Sequence, residues 1–228
     1  MTWLEAVILG IIQGLTEFLP ISSSGHLVLV QHFMDINERG VLLEVILHMG
    51  TLIAILAYYW NDLTNLAKDV FNGVAEARTY VLYLAVATVP VVFAGIFFEN
   101  RIESAFIPSV VIWMLMITGM AVGSTYFVKT RSRREFTYMI VLYIGFAQAF
   151  ALLPGLSRSG LTISVALLMG IKHHEAAKFA FFMAIPALLG AGLMQMIKID
   201  NIHQISLFPL IIGFFSGVGF FSLLRGDM

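Results

Sequence analysis

Long runs of residues without a single charge constrain this chain more than any other feature. Thr79 to Phe98, Pro108 to Val128 and Ile205 to Leu224 contain no Asp, Glu, Lys or Arg, and Phe179 to Ile197 is nearly as long. Each approaches the about 20 residues that an α-helix needs to cross a bilayer. The chain as a whole is 59% hydrophobic and 12% charged, about half the charge of a soluble domain. These runs predict a polytopic, all-α integral membrane protein formed as one membrane domain over residues 1–228.

The remaining composition narrows the functional classes. Net charge is close to neutral and no long basic or acidic run occurs, so nothing points to nucleic acid or a charged tail. The chain has no cysteine, which excludes disulfides and thiol chemistry. Glu5 comes early and no basic segment precedes it, so the N-terminus does not read as a cleaved signal peptide.

Short polar segments join the apolar runs. Tyr58, Tyr59 and Trp60 end the Val41–Tyr59 run as an interfacial aromatic anchor. The stretch from Trp60 to Arg78 reads as a surface amphipathic helix. Lys129, Arg131, Arg133 and Arg134 crowd one short loop, which the positive-inside rule places in the cytoplasm. Orientation propagates from there, and the loop of Glu99, Arg101 and Glu103 falls outside.

Two polar islands interrupt the apolar pattern. The first, "QGLTEFLPISSSGHLVL", runs from Gln13 to Leu29, and the second, "QAFALLPGLSRSGLTIS", from Gln148 to Ser164. One constant offset pairs Gly10 with Gly145, Gln13 with Gln148, Ser22 with Ser157, Ser24 with Ser159 and Gly25 with Gly160. Pro20 and Pro154 miss that register by one residue. Some of these identities are expected by chance among membrane-typical residues, but the shared S-x-S-G core favours an internal repeat. Its units are about 1–134 and 135–228. Each island is short and polar at its tip, which suits a re-entrant hairpin. The three spans between them invert the second unit relative to the first, an architecture that brings two broken helices together near the bilayer midplane. The second unit has one span fewer than the first, so either a final span was lost or the sequence is incomplete.

The islands have the composition of a phosphate site. Glycine admits close approach of backbone to ligand, and N–H groups at a helix start attract anions. Ser22, Ser24 and Gly25 in the first island, with Ser157, Ser159 and Gly160 in the second, are the candidate phosphate binders. Arg158 adds a planar fork suited to phosphate oxygens. Intramembrane ionisable residues mark function by default, and the repeat brings Glu17, His26 and Arg158 near one another. A purely structural Glu17–Arg158 pair is the alternative, though it would not need Ser22, Ser23, Ser24 and Gly25 beside it. Glu17 can hold a divalent metal or act as a base. Ser23 and His26 are both candidate nucleophiles, and His26 can also be an acid, a base or a metal ligand. Glu44 and His48, at i and i+4, are either a polar shell reaching the site or a mutually satisfied pair. Gly119/Gly123 and Gly213/Gly217 have the small-x-x-x-small spacing that permits close helix contact, and so a homodimer.

"EFLPISSSGH" together with "PGLSRSG" resembles the undecaprenyl-diphosphate phosphatase, or bacitracin-resistance, family of bacteria. The likeness extends over the whole chain, through "LHMGTLIA" (Leu47–Ala54) and "FFMAIPALLGA" (Phe181–Ala191). It implies an inner-membrane enzyme that hydrolyses the C55 isoprenoid diphosphate to the monophosphate, recycling the lipid carrier of cell-wall synthesis. It also implies a divalent cation, Mg2+ or Ca2+, and a site open to the periplasmic side. Gln13 and Glu17 fall on the two acidic positions of the family's E/Q-x-x-x-E motif, so Gln13 weakens the case for two metal-binding carboxylates. Ser23 and His26 fall on the serine and histidine implicated in catalysis, and Arg158 on the essential arginine. The sequence does not decide between Ser23 and His26 as nucleophile; the reading taken is Ser23, with Glu17 as base or metal ligand and His26 in support. The family normally continues into one more span. A transporter or flippase of a carrier-lipid phosphate or another anion is the alternative function, because inverted repeats with broken helices are typical of transporters.

Overall fold

The computed structural model describes residues 2–36, 41–128 and 134–198, together with Ile211 and Phe215. Every regular element among them is helical: α1 (Trp3–Phe18), α2 (Ser23–Phe33), α3 (Val41–Tyr58), α4 (Trp60–Phe71), α5 (Ala75–Phe97), α6 (Glu99–Ser104), α7 (Pro108–Ser124), α8 (Tyr138–Phe150), α9 (Arg158–Leu168) and α10 (His173–Lys198), with a 3-10 turn at Thr125–Phe127 after α7.

Three segments are long and apolar enough to cross a membrane: Ala75–Phe97, Pro108–Phe127 and His173–Gln195. A fourth is formed if α3 and α4, bent by 69°, count as one. Helices α5 and α10 begin earlier than the uncharged runs suggest. Glu76 and Arg78 lie in the first turn of α5, and His173, His174, Glu175 and Lys178 in the first turns of α10. An uncharged run marks only the stretch suited to hydrocarbon, while the helix continues into the polar layer. Only 17% of the apolar window of α5 and 11% of that of α7 is buried, so Phe93, Phe97, Trp113 and Met120 face outward. An apolar surface of that extent needs an apolar surrounding, in keeping with a membrane protein. The Trp60–Arg78 stretch does contain a helix, α4, with no buried residue; apart from Ile211 and Phe215, the Ile205–Leu224 run lies outside the described residues, as do the basic residues 129, 131 and 133 and Gly213/Gly217.

Two apolar clusters hold the helices together. Leu9, Leu27, Leu43 and Leu47 join α1, α2 and α3. Ala87, Ile144, Leu167, Phe179 and Met183 join α5, α8, α9 and α10. Helices α5 and α8 approach closely because Gly145 lacks a Cβ, which would lie 2.6 Å from the Ala87 carbonyl oxygen.

The two islands fold alike. Each is a helix, a break and a second helix. Helices α2 and α9 are both 11 residues long and are capped by Ser22 and Ser157, at the offset already seen in the sequence. The first break follows from Pro20: Leu19, the residue before it, is extended and cannot continue α1. Gly155 makes the second break, with φ +95° in a place where a Cβ would lie 2.6 Å from the Val111 carbonyl.

Candidate active site

The tips of the two islands meet. Gly155 N–H donates to Ser24 Oγ at 3.4 Å, and a Cβ on Gly25 would lie 2.9 Å from Gly155 Cα. Helix α7 fastens the second tip from the side. Thr118 Oγ1 donates to the Gly155 carbonyl at 2.9 Å and accepts from Ser157 N–H at 3.0 Å.

Each S-x-S-G motif caps its helix in the same way. Ser22 Oγ accepts from Gly25 N–H at 3.3 Å and Ser157 Oγ from Gly160 N–H at 3.0 Å. The second hydroxyl of each motif, Ser24 or Ser159, lies 3.4 Å from the capping hydroxyl. Such caps satisfy an N–H that the helix leaves unpaired. Ser22 does so at φ 70°, in the left-handed region. Backbone strain in a non-glycine residue persists where the surroundings enforce it, commonly at functional sites.

Ser23 and Arg158 are the first residues of α2 and α9 and occupy matching positions in the two motifs. Both reach Glu17. Arg158 Nη2 donates to Glu17 Oε1. Ser23 Oγ donates to Glu17 Oε2 at 2.6 Å, and Gln13 Nε2 donates to the same oxygen at 3.2 Å. The Glu17 side chain is 5% exposed and that of Arg158 17%. A carboxylate so enclosed needs several donors to replace water, and these three supply them.

The histidine in this cluster is His48. Its Nε2 lies 3.2 Å from Glu17 Oε2 and 3.4 Å from Ser23 Oγ, while its Nδ1 donates to the Glu44 carbonyl at 2.6 Å. The i,i+4 relation with Glu44 therefore runs through the backbone and leaves the far nitrogen for the site. Of the two readings of this pair, the polar shell is the one observed. His26 behaves differently. Its Nδ1 donates to the Ser22 carbonyl at 2.7 Å, and among the described residues no hydrogen bond or ion pair joins it to Glu17, Ser23 or Arg158. Proximity in sequence made His26 conspicuous, whereas His48 arrives through the packing of α3 against α1, which no local pattern reveals.

Glu17, Ser23, His48 and Arg158 line a cavity of about 200 Å³, whose lining does not include Gln13 or His26. Its polar wall carries Glu17, Ser22, Ser23, Ser24, His48, Ser157, Arg158 and Ser159, and its apolar wall includes Ile102, Phe106, Leu188 and Ala191. Glu44 and Gln148 also border it. Gly25 and Gly160 are buried beneath it as packing and capping residues. A guanidinium, two helix starts and several hydroxyls face one space. A hydroxyl hydrogen-bonded to a carboxylate stands beside them. The arrangement can hold an oxyanion and present a nucleophile to it.

The family model described as bacitracin resistance protein BacA matches residues 6–225. Among curated relatives named undecaprenyl-diphosphatase, that of Geotalea daltonii is 39% identical over 225 residues, covering 93% of this chain and 83% of the relative. That of Desulforudis audaxviator is 40% identical over 200 residues, covering 86% and 77%. That of Caldicellulosiruptor bescii is 38% identical over 236 residues, covering 98% and 87%. A match across both polar islands and the helices between them, at such identity, places this chain in the bacitracin resistance protein BacA family.

Proposed function

We propose that the chain hydrolyses undecaprenyl diphosphate to undecaprenyl phosphate and inorganic phosphate. The family and the names of the relatives support the reaction. The observation that carries it is the hydrogen bond from Ser23 Oγ to Glu17, beside the Arg158 guanidinium. A transporter needs an anion site, but it has no use for a hydroxyl set against a carboxylate there.

The residues divide the work. Arg158, the starts of α2 and α9, and the hydroxyls of Ser22, Ser24, Ser157 and Ser159 hold the diphosphate. Ser23 Oγ attacks the terminal phosphorus as Glu17 takes its proton. The bond from that phosphorus to the bridging oxygen breaks, and undecaprenyl phosphate leaves with the electron pair. The proton on Glu17 passes to the departing oxygen, which restores the carboxylate. Water then attacks the phosphoserine phosphorus and gives a proton to the Glu17–His48 pair; the P–Oγ bond breaks, and that proton returns to Ser23 Oγ as phosphate leaves. His26 supports the loop by fixing the Ser22 carbonyl. The apolar wall suits the first isoprene units of the lipid.

A divalent cation fits this site only together with the substrate. Among the described residues no three His, Asp or Glu side chains form a metal-binding group. Glu17 and the buried Gln13 Oε1, which has no hydrogen-bond partner, are nevertheless oxygen donors of the kind Mg2+ or Ca2+ prefers. Those two residues and the diphosphate oxygens would hold the ion. Bound there, it would neutralise charge on the phosphates.

The matching lengths and caps of α2 and α9 support reading the islands as re-entrant hairpins of an inverted repeat. The family membership supports a site open to the periplasmic side of the bacterial inner membrane, where recycling of the lipid carrier serves cell-wall synthesis and bacitracin resistance. Among the described residues nothing lies within 4 Å of where a Cβ of Gly119 or Gly123 would stand, which fits close approach of another helix, such as one of a second copy.

Hydrolysis and transport separate in detergent, where no second compartment exists. Purified protein mixed with undecaprenyl diphosphate in micelles should release phosphate over many turnovers. Lipid movement across proteoliposomes with no phosphate release in either preparation would contradict the reading.

A further inference from the structure

Gln148 is a buried amide without a partner among the described residues. It is 1% exposed, neither its Oε1 nor its Nε2 has a hydrogen-bond partner there, and it borders the cavity that holds Glu17 and Arg158. Native structures rarely leave a buried polar group in this state, and each instance calls for an explanation.

The internal repeat supplies one. Gln13 is the matching residue of the first island, and its Nε2 donates to Glu17 one helical turn later. The residue one turn after Gln148 is Leu152, which also borders the cavity. Where the first island has a carboxylate to satisfy its amide, the second has an alkyl side chain. The same backbone position thus carries an amide committed to Glu17 in one half and an unpaired amide in the other. Leucine in place of glutamate also removes a negative charge from a space whose ligand is an anion.

We propose that Gln148 is a substrate-binding residue whose amide is completed by the head group: Nε2 donates to a phosphate oxygen of the diphosphate, and Oε1 accepts from a water that enters with it. This rests on the diphosphate reading of the cavity. It assigns to the second island a direct contact with substrate beyond Arg158 and the serine caps. It also explains the absence of a protein partner, since any such partner would have to be displaced on binding.

The proposal predicts an unusual pair of effects for Gln148→Leu. A residue that holds the fold together loses stability when replaced. An amide that is unpaired until substrate arrives does not, because an apolar side chain of similar volume removes a buried polar group that lacked a partner. The affinity for substrate should nonetheless fall by about tenfold or more, the usual consequence of losing a hydrogen bond to a charged group.

The experiment uses the full chain in detergent with Ser23→Ala as background, so that substrate is bound and not consumed. The dissociation constant for undecaprenyl diphosphate and the melting temperature without lipid are measured with and without Gln148→Leu, alongside phosphate release by wild type. Weaker binding with an unchanged or higher melting temperature is expected. Unchanged binding, or a lower melting temperature with binding unaltered in the folded fraction, overturns the proposal. Gln148→Met, of similar length and more flexible, decides the matter if the leucine variant does not fold. Should wild type release no phosphate, the hydrolytic reading fails, while the binding comparison still decides the role of Gln148.

Discussion

Glu17 and Arg158 stand 141 positions apart in the chain, one near the end of α1 and the other opening α9, and their side chains form an ion pair enclosed between the two islands. Removing one partner of a buried pair leaves an uncompensated charge, at a cost of about 3–5 kcal/mol. Glu17→Ala and Arg158→Ala should each lower the unfolding midpoint in detergent, and the double substitution should lower it by less than the two effects added together. Activity should be absent from all three proteins. Additive losses of stability would show that the two charges are not coupled.

The contact between the island tips depends on two glycines. A Cβ on Gly25 would stand 2.9 Å from Gly155 Cα and 3.1 Å from Leu115 Cδ2. The first neighbour is backbone and cannot step aside, so Gly25→Ala should cost about 1–3 kcal/mol and reduce activity by separating Ser23 from Arg158. Gly119→Ala, with nothing within 4 Å of its Cβ position among the described residues, should leave the stability of a single chain unchanged. Equal melting temperatures for wild type and Gly25→Ala would contradict the close approach.

His26 and His48 should respond differently to substitution. His26 Nδ1 donates to the Ser22 carbonyl and so supports the strained turn that presents Ser23. Asparagine offers an amide N–H in a comparable place, and His26→Asn should therefore keep more activity than His26→Ala. His48→Ala removes a ring nitrogen from beside Glu17 and Ser23 and should lower the turnover number, with no comparable rescue by Asn. Equal losses for both His26 variants would mean that its imidazole acts directly in the reaction.

Lys178 on α10 is paired with Asp62 on α4 and lies 5.5 Å from the Phe182 ring centre. The two side chains are 29% and 44% exposed, so solvent screens them and the pair is worth at most about 1 kcal/mol. Lys178→Met should change the melting temperature by only a few degrees and leave activity intact. A coupling energy well above that in a double-mutant cycle with Asp62→Asn would show that α4 is held far more firmly than its exposure implies.

How much of this could be read from the sequence depended on the range of the interaction involved. The uncharged runs located α5, α7 and α10, because the hydrocarbon requirement acts residue by residue, and they missed only the charged first turns of α5 and α10. The S-x-S-G pairs located both helix starts, where small polar residues and glycine precede an apolar run, but not that Ser22 and Ser157 cap them. The matching islands also brought Glu17 toward Arg158, because a shared S-x-S-G pattern at two places in the chain carries long-range information in local form. His48 had no such signal. Its link with Glu44 could be seen from the spacing, but its approach to Ser23 depends on how α3 packs on α1. Ser22 at φ 70° was equally hidden, since the left-handed region is uncommon for any residue but glycine. The unpaired amide of Gln148 became meaningful only when its surroundings showed no partner.

The central claim is that Glu17, Ser23 and Arg158 form one hydrolytic site. Phosphate release from undecaprenyl diphosphate by purified wild-type protein, measured beside a folded Arg158→Ala protein with and without EDTA, tests it most directly. Release by wild type, suppression by EDTA and a loss of at least about 10²–10³ in rate for the variant are expected. Release by Arg158→Ala at the wild-type rate would contradict the claim.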